Sequence, residues 1–316
     1  MERDRSAFLL ISFGGPEGME EVEPFLQAVT QGRPVPPDRI RAVAKHYERF
    51  DGVSPINEEC RRFLSAMEVE FHKRDASVSM YWGNRFSQPF LKDVVRQMTA
   101  DGVIHAVASP TCVFDAPASW DAYKRALESA LEEIHEAGEE KPRIELLPSF
   151  HNESEFLETV VDGVLRCMDE IPLERRAKTH VMFSAHSLPE AMAARSPYAE
   201  QFETCSRLVA KRIGLAESEW SIAFQSRSGP PHQPWLRPDI FERAEALAAS
   251  DEVSDLIVVP IGFPIRHMEV VYDLDVELAA HCKSLGLNML RSATPDSDPR
   301  IIAMTARRVA NRLKTM

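Results

Sequence analysis

The stretch THVMFSAHSLP at residues 179–189 begins as an apolar run and ends in a polar turn. A continuous apolar run of this length is typical of a β-strand buried on both faces, as in a parallel sheet. His186 follows the run directly, and Pro189 restricts the backbone just beyond it. We therefore predict a buried parallel strand at 179–184 that delivers a histidine to its carboxyl end.

The same pattern recurs along the chain. Further apolar runs lie at 8–13, 77–82, 104–109, 144–148, 220–224, 256–260 and 288–290. Segments of helical period separate them, for example 118–137, 153–169, 199–213, 239–249 and 298–316. Alternation of this kind implies βαβ crossovers and parallel sheets. At 316 residues, we predict an α/β fold of two Rossmann-like doubly wound domains, at 1–150 and 151–316. The helix at about 298–316 is able to pack back on the first domain.

Composition excludes several classes of function. Lys and Arg total 37 against 49 for Asp and Glu, a formal charge of −12, which argues against nucleic-acid binding. The five cysteines are scattered without a CxxC pair, as expected for reduced thiols in the cytoplasm. The apolar run near the N-terminus has only six residues, and no window approaches the roughly 18 apolar residues of a membrane span. We expect a cytoplasmic enzyme without integral membrane association.

Ligands in doubly wound folds collect at the carboxyl ends of the strands. The first strand ends in Gly14-Gly15-Pro16, which allows a sharp turn and a close approach of backbone to ligand. This segment lacks the spacing of a dinucleotide fingerprint, and the chain contains no P-loop. No nucleotide cofactor is expected.

Two strand ends carry residues with more than one interpretation. The ordinary pKa of a histidine, about 6.5, suits His186 to proton abstraction, although a core histidine satisfied by hydrogen bonds fits the same sequence. Trp235 lies on a loop rich in proline and glycine. Such an aromatic either stacks on a flat ligand or caps a core.

Three carboxylates follow the seventh strand at helical spacing. Glu269, Asp273 and Glu277 recur at i, i+4 and i+8, which aligns them along one helix face. On a solvated face the stripe has no function. If the stripe faces a ligand crevice, its oxygen atoms form a path for hydrated divalent cations. Glu269 would then meet His186 across that crevice.

These motifs together resemble the ferrochelatase family over essentially the whole chain. The segments that carry the resemblance are SFGGP at 12–16, FSAHSLP at 183–189, QSR at 225–227, PWL at 234–236 and GFPIRHMEVVYDLD at 262–275. Gly32-Arg33 and DGVSPIN at 51–57 are similar to the branch that uses coproporphyrin.

The resemblance implies two domains with a porphyrin held in a cleft between them. In that interpretation His186 takes pyrrole protons and meets the metal, Glu269 is its partner, and Asp273 and Glu277 continue an acidic track for the metal. The residues implied to contact porphyrin are Phe13, Arg33, His46, Ser54, Arg85 and Trp235. Two positions depart from the family pattern. Phe13 stands where many members have a tyrosine, so it offers no oxygen to a metal, and Arg266 stands where an acidic residue is common.

The resemblance also bears on substrate, cofactors and partners. Residues 31–40 are short and polar, unlike the apolar lip of the membrane-associated branch. They favour coproporphyrin III, converted to coprohaem, over the alternative substrate protoporphyrin IX. Fe²⁺ is a substrate, and no iron–sulfur cluster is expected because no cysteine follows Cys282. A downstream coprohaem-processing enzyme is the implied partner, and we expect a monomer.

Two other functions remain open. A cobalt or nickel chelatase acting on sirohydrochlorin shares the fold class, but usually has more metal-facing histidines and lacks the QSR and PWL segments. A non-enzymatic haem-binding or haem-transfer protein would keep the crevice. It would have no need of both His186 and Glu269.

Overall fold

The computed structural model describes residues 6–30, 35–229 and 232–316. They form two compact units. The first unit takes the described residues up to Thr111 with Asp121–Pro148 and Ile302–Met316, and the second takes Cys112–Trp120 and Ser149–Ile301.

The first unit contains a parallel sheet of four strands in the order β2-β1-β3-β4. The strands are β1 Ser6–Ser12, β2 Ser79–Asn84, β3 His105–Pro110 and β4 Arg143–Leu146. Strand β1 lies between β2 and β3, and every one of its residues after Ser6 is buried. The apolar run that predicted it is therefore the centre of the sheet.

The second unit repeats this topology in the order β6-β5-β7-β8, again parallel throughout. Its strands are β5 Thr179–His186, β6 Trp220–Gln225, β7 Asp255–Val259 and β8 Asn288–Arg291. The predicted α/β fold with two doubly wound parallel sheets is confirmed, and each of the eight predicted strands is present.

Helices connect the strands. In chain order they are α1 Met19–Thr30, α2 Pro37–Glu48, α3 Ile56–Lys73, α4 Leu91–Ala100, α5 Trp120–Glu136, α6 Ser154–Glu170, α7 Glu190–Ala193, α8 Tyr198–Ile213, α9 Ile240–Ala248, α10 Met268–Val271, α11 Ala279–Ser284 and α12 Pro299–Leu313. A 3₁₀-helix spans Leu173–Lys178, and a π-helix spans Asp273–Leu278. Among the described residues, none of these helices combines the length and the apolar character needed to cross a bilayer.

Local signals set several helix ends. Asp239 caps α9 by accepting a hydrogen bond from the Phe241 N–H at 2.9 Å, and the Glu242 side chain accepts from the Asp239 N–H in return. This reciprocal pair satisfies two amide groups that have no partner within the helix. Helix α8 ends at Gly214, whose φ of +87° is readily adopted only by glycine.

The core of the second unit lies between the sheet and the helices on one side of it. Met182 and Leu256 from the strands pack with Ile240 and Leu274 from the helical segments, and each of the four is at most 1% exposed. Burial of this kind contributes about 1.5–3 kcal/mol for each large apolar side chain. It holds the carboxyl ends of the strands in fixed positions.

Phe183 follows Met182 in β5, so its side chain points to the opposite face of the sheet and tests the packing there. Its side chain is fully buried in β5, and its ring meets Trp220 edge to face with 5.9 Å between centroids. We expect Phe183→Ala to lower the free energy of unfolding by about 3–5 kcal/mol, because it removes buried surface and leaves a cavity. Urea denaturation measures this. The control Leu173→Ala removes a side chain that is 77% exposed and should change the value by less than about 0.5 kcal/mol. Equal effects of the two substitutions on the free energy of unfolding would contradict the burial of Phe183.

Candidate active site

His186 is the last residue of β5, and a hydrogen bond to the backbone orients its ring. The Nδ1 atom lies 2.5 Å from the carbonyl oxygen of Ser187. Because a carbonyl only accepts, Nδ1 must carry the proton, and Nε2 points away from the backbone. The side chain is 29% exposed. The strand thus ends in a ring whose direction is set, with a proton on Nδ1.

Glu269 meets this imidazole. Its Oε1 atom is 3.5 Å from His186 Nε2, and it lies in the first turn of α10. Gln225, at the end of the neighbouring strand β6, donates from Nε2 to the Glu269 carbonyl oxygen at 3.0 Å. Gln225 at the end of β6 therefore holds the backbone of Glu269 close to the end of β5, which carries His186.

The two side chains perturb each other. Burial lowers the pKa of His186, but the charge and hydrogen bond of Glu269 outweigh burial and raise it well above its ordinary value. Burial raises the pKa of Glu269, and the neighbouring His186 reverses that effect and lowers it. At neutral pH the resting pair is an imidazolium beside a carboxylate.

His267 is a third member of the site that the sequence analysis did not single out. It caps α10, with Nδ1 accepting a hydrogen bond from the Glu269 N–H at 3.3 Å, and it lies 3.8 Å from Glu269 Oε2. Burial lowers its pKa, although Glu269 acts in the opposite direction. The sequence feature that could have identified His267 was its position two residues before Glu269, at the start of a helix.

The helix that carries the carboxylates is not a regular α-helix. Glu277 N donates to Tyr272 O at 3.0 Å, an i→i+5 bond, and this wide turn forms the π-helix Asp273–Leu278. π-Turns occur often at functional sites. The sequence predicted the three carboxylates on a helix but did not predict this turn.

The charges of the other two carboxylates both act on Asp273. Burial raises its pKa, and the charges of Glu269 and Glu277 raise it further, to about 7. The hydroxyl of Ser226 donates to its carboxylate. Ser226 holds a left-handed backbone conformation, with φ of +62°, which is costly for a residue with a side chain. Asp273 is half-buried, and Glu277 is exposed.

In the first unit, Phe13 directly follows β1, and Arg85 directly follows the neighbouring strand β2. The Phe86 N–H donates to Phe13 O at 3.1 Å, and the Phe13 and Phe86 rings lie 4.7 Å apart. The Arg85 guanidinium carbon lies 4.6 Å from the centre of the Phe86 ring and 5.6 Å from that of Tyr123, distances at which the ring faces attract a cation. The result is a half-buried aromatic surface with an arginine beside it.

A buried polar network holds the same turn. Gly15 N donates to Ser87 Oγ at 3.0 Å, and Asn57 Nδ2 donates to Gly15 O at 2.9 Å. Asn84 links these two side chains. Ser54 lies against the turn so closely that a Cβ atom on Gly15 would stand 2.5 Å from Ser54 Cβ. The sequence analysis singled out Ser54 but missed Asn57, Asn84 and Ser87, because nothing in their spacing shows that they converge.

Comparison with known proteins places the chain. A family model described as Ferrochelatase matches residues 5–313. The chain belongs to the ferrochelatase family. A Streptomyces coelicolor protein named coproporphyrin III ferrochelatase is 40% identical over 311 residues, 94% of this chain and 82% of the relative. A Rhodopirellula baltica protein named ferrochelatase is 38% identical over 307 residues, 97% of this chain and 86% of the relative.

Solved structures agree on the fold. SirB from Bacillus subtilis with Fe³⁺ is 14% identical with a TM-score of 0.59, covering 98% of this chain and 97% of its own. A cobalt complex of the sirohydrochlorin chelatase SirB from Bacillus subtilis subspecies spizizenii is 13% identical with a TM-score of 0.58, covering 98% and 96%. At such identities the likeness shows the fold alone. The family resemblance seen in the motifs is confirmed by the family match.

The remaining predicted contacts of this ferrochelatase-family chain are less clearly placed. His46 is half-buried in the last turn of α2. Trp235 is only 9% exposed, and a Cβ atom on Gly229 would stand 2.4 Å from its Nε1, so backbone covers the indole. That burial leaves little of its ring to stack on a ligand. Arg33 lies outside the described residues.

No metal ligand set is complete as it stands. Among the residues that the structure describes, no group of three or more His, Cys, Asp or Glu side chains is arranged to hold an ion. The metal-binding roles predicted for His186, Glu269, Asp273 and Glu277 therefore remain proposals.

The His186–Glu269 pair predicts a titration that can be observed directly. In wild type, NMR of the His186 ring should give a pKa well above the ordinary value of about 6.5. Glu269→Gln removes the charge that raises this pKa and leaves the burial that lowers it, so we expect the midpoint to move to lower pH. Glu245→Gln is a matched control, because Glu245 Oε1 lies 3.2 Å from His281 Nε2 in a separate histidine–glutamate pair. A His186 midpoint that stays in place in Glu269→Gln would show that the pair does not interact as described.

Proposed function

We propose that this chain inserts ferrous iron into coproporphyrin III and forms coprohaem in haem biosynthesis. The observation that supports it most directly is the contact of His186 Nε2 with Glu269 at 3.5 Å, in a chain of the ferrochelatase family. A free-base porphyrin must lose two pyrrole protons before a metal enters, and Fe²⁺ accepts both imidazole and carboxylate ligands. The pair supplies a base and an anionic ligand side by side.

His186 is the proposed base, and its charge state sets the order of events. The resting pair holds a proton on the imidazole, and an imidazolium cannot accept another. An entering divalent cation competes for the Glu269 carboxylate and neutralises the charge that raises the pKa of His186. The imidazolium then gives its Nε2 proton to water, and the neutral imidazole is able to take one from the porphyrin. Metal arrival and base activation are coupled through one carboxylate.

The acidic row is the proposed route of the metal. Glu277 is exposed and Asp273 is half-buried, and the charges of Glu269 and Glu277 both act on Asp273. Asp273, with a pKa of about 7, exchanges a proton readily at neutral pH. A hydrated cation is therefore offered oxygen ligands in sequence from solvent to His186.

Phe13, Ser54 and Arg85 are the proposed contacts for the porphyrin, together with His46 and Arg33, whereas the buried ring of Trp235 is left out. The Phe13–Phe86 surface suits a flat macrocycle, and Arg85 suits a propionate. Coproporphyrin III carries four propionates, which fits the polar segment 31–40. The name of the Streptomyces coelicolor relative supports the same substrate.

The choice of porphyrin can be tested directly. Purified protein is mixed anaerobically with Fe²⁺ and either coproporphyrin III or protoporphyrin IX, and loss of the free-base absorption bands is followed. We expect rapid loss with coproporphyrin III. Faster loss with protoporphyrin IX would keep the chelatase and change the substrate. Tight binding of both without insertion would favour the haem-binding function instead.

His186→Ala tests the base. We expect the insertion rate to fall by about 10² to 10⁴, the usual contribution of a positioned base, while porphyrin affinity measured by fluorescence quenching is retained. His281→Ala is the control, because it removes a histidine that is paired with a glutamate outside the site. If His186→Ala keeps most of the wild-type rate, another group must take the protons.

A further inference from the structure

Tyr198 contacts the backbone of His186, the proposed base. It is the first residue of α8, its side chain is 6% exposed, and its hydroxyl donates to the His186 carbonyl oxygen at 2.8 Å. Burial raises the pKa of this phenol, so the hydroxyl stays a donor throughout the working range of pH. The mechanism proposed above does not use this residue.

The bond acts on the peptide that orients the imidazole. The peptide unit between His186 and Ser187 has two polar groups, and both are bound: its oxygen by Tyr198, and its N–H by Gln225 O at 2.7 Å. The plane of the unit is therefore fixed. The next carbonyl along the chain, that of Ser187, holds the His186 ring through Nδ1. The direction of Nε2 towards Glu269 depends on this backbone segment.

Tyr198 is itself held by a second segment of the unit. The Phe114 ring meets it edge to face, with 5.8 Å between centroids and planes at 88°. Next to Phe114, Asp115 forms two hydrogen bonds with Gln201, one turn after Tyr198 on α8. Asp115 N donates to Gln201 Oε1 at 2.7 Å, and Gln201 Nε2 donates to Asp115 Oδ2 at 2.8 Å. These contacts tie the phenol ring to a packed aromatic neighbour and to its own helix.

We propose that Tyr198 is a positioning residue for metal insertion, whose hydroxyl fixes the His186–Ser187 peptide and so holds the imidazole on Glu269. This inference rests on the proposed function. The simpler view is that Tyr198 only satisfies a buried carbonyl. The two views differ in what the loss of the hydroxyl does to kcat.

The test is Tyr198→Phe, assayed with Fe²⁺ and coproporphyrin III. We expect kcat to fall by about tenfold or more, since small misplacement of a catalytic group is costly. The KM for porphyrin should change by less than about twofold, because the phenol does not contact substrate. Tyr198→4-aminophenylalanine keeps an N–H donor at the same position and should restore most of kcat. Tyr81→Phe is the matched control, since it removes a hydroxyl bonded to Asp101 on the surface.

Each outcome has a separate meaning. Wild-type protein that inserts iron into neither porphyrin rejects the proposed function itself. Active wild type with an unchanged kcat in folded Tyr198→Phe overturns the inference alone, as does a loss that 4-aminophenylalanine does not restore. If Tyr198→Phe fails to fold by near-UV circular dichroism, Gln201→Leu provides the second arm, because it keeps the hydroxyl but releases Asp115. A fall of kcat by about threefold is then expected, and no change contradicts the proposal.

Discussion

Parallel strands pair only when the chain crosses back over the sheet between them, and this forces their carboxyl ends to a common edge. In the second unit that constraint brings together the end of β5, which carries His186, and the end of β6, which carries Gln225. The segment leaving β7 supplies Glu269. The hydrogen-bonded ladder of the sheet places the backbone of His186, and the Gln225 side chain holds the backbone of Glu269 beside it by donating to its carbonyl oxygen at 3.0 Å.

The protonation states of the side chains at this edge of the sheet determine its chemistry. Glu269 is held ionised by its neighbour, His186 is held protonated, and Asp273 is left near its midpoint at neutral pH. These are three titratable groups in three different states within one short segment of structure. Under the proposed function, a divalent cation would relieve the repulsion among the acids and favour release of the proton between imidazole and carboxylate.

The strands and the His186–Glu269 pair could be predicted from the sequence because local sequence patterns mark both. Apolar runs identify buried parallel strands; His186 ends one of them, and Glu269 follows another after the short segment 260–268. The sequence analysis missed features that depend on contact between distant segments. Asn84 belongs to a polar network that only the folded first unit brings together. The π-turn was missed for another reason: an assumed period of 3.6 residues per turn cannot show where a helix abandons it. His267 was quoted within a motif, but its capping role depends on where α10 begins.

The wide turn also has a geometric consequence for the helix as a whole. Val270, Leu274, Leu278 and Cys282 recur every four residues, and all four are 0% exposed. On a continuous α-helix a four-residue repeat winds by about 40° at each step, which would rotate the last of these side chains by about 120° from the first. A π-turn contains an extra residue, so a four-residue step along it falls short of a full turn. This shortfall offsets much of the rotation that accumulates over the α-helical turns. One irregular turn therefore keeps two rows in phase, the apolar row against the sheet and the acidic row beside it.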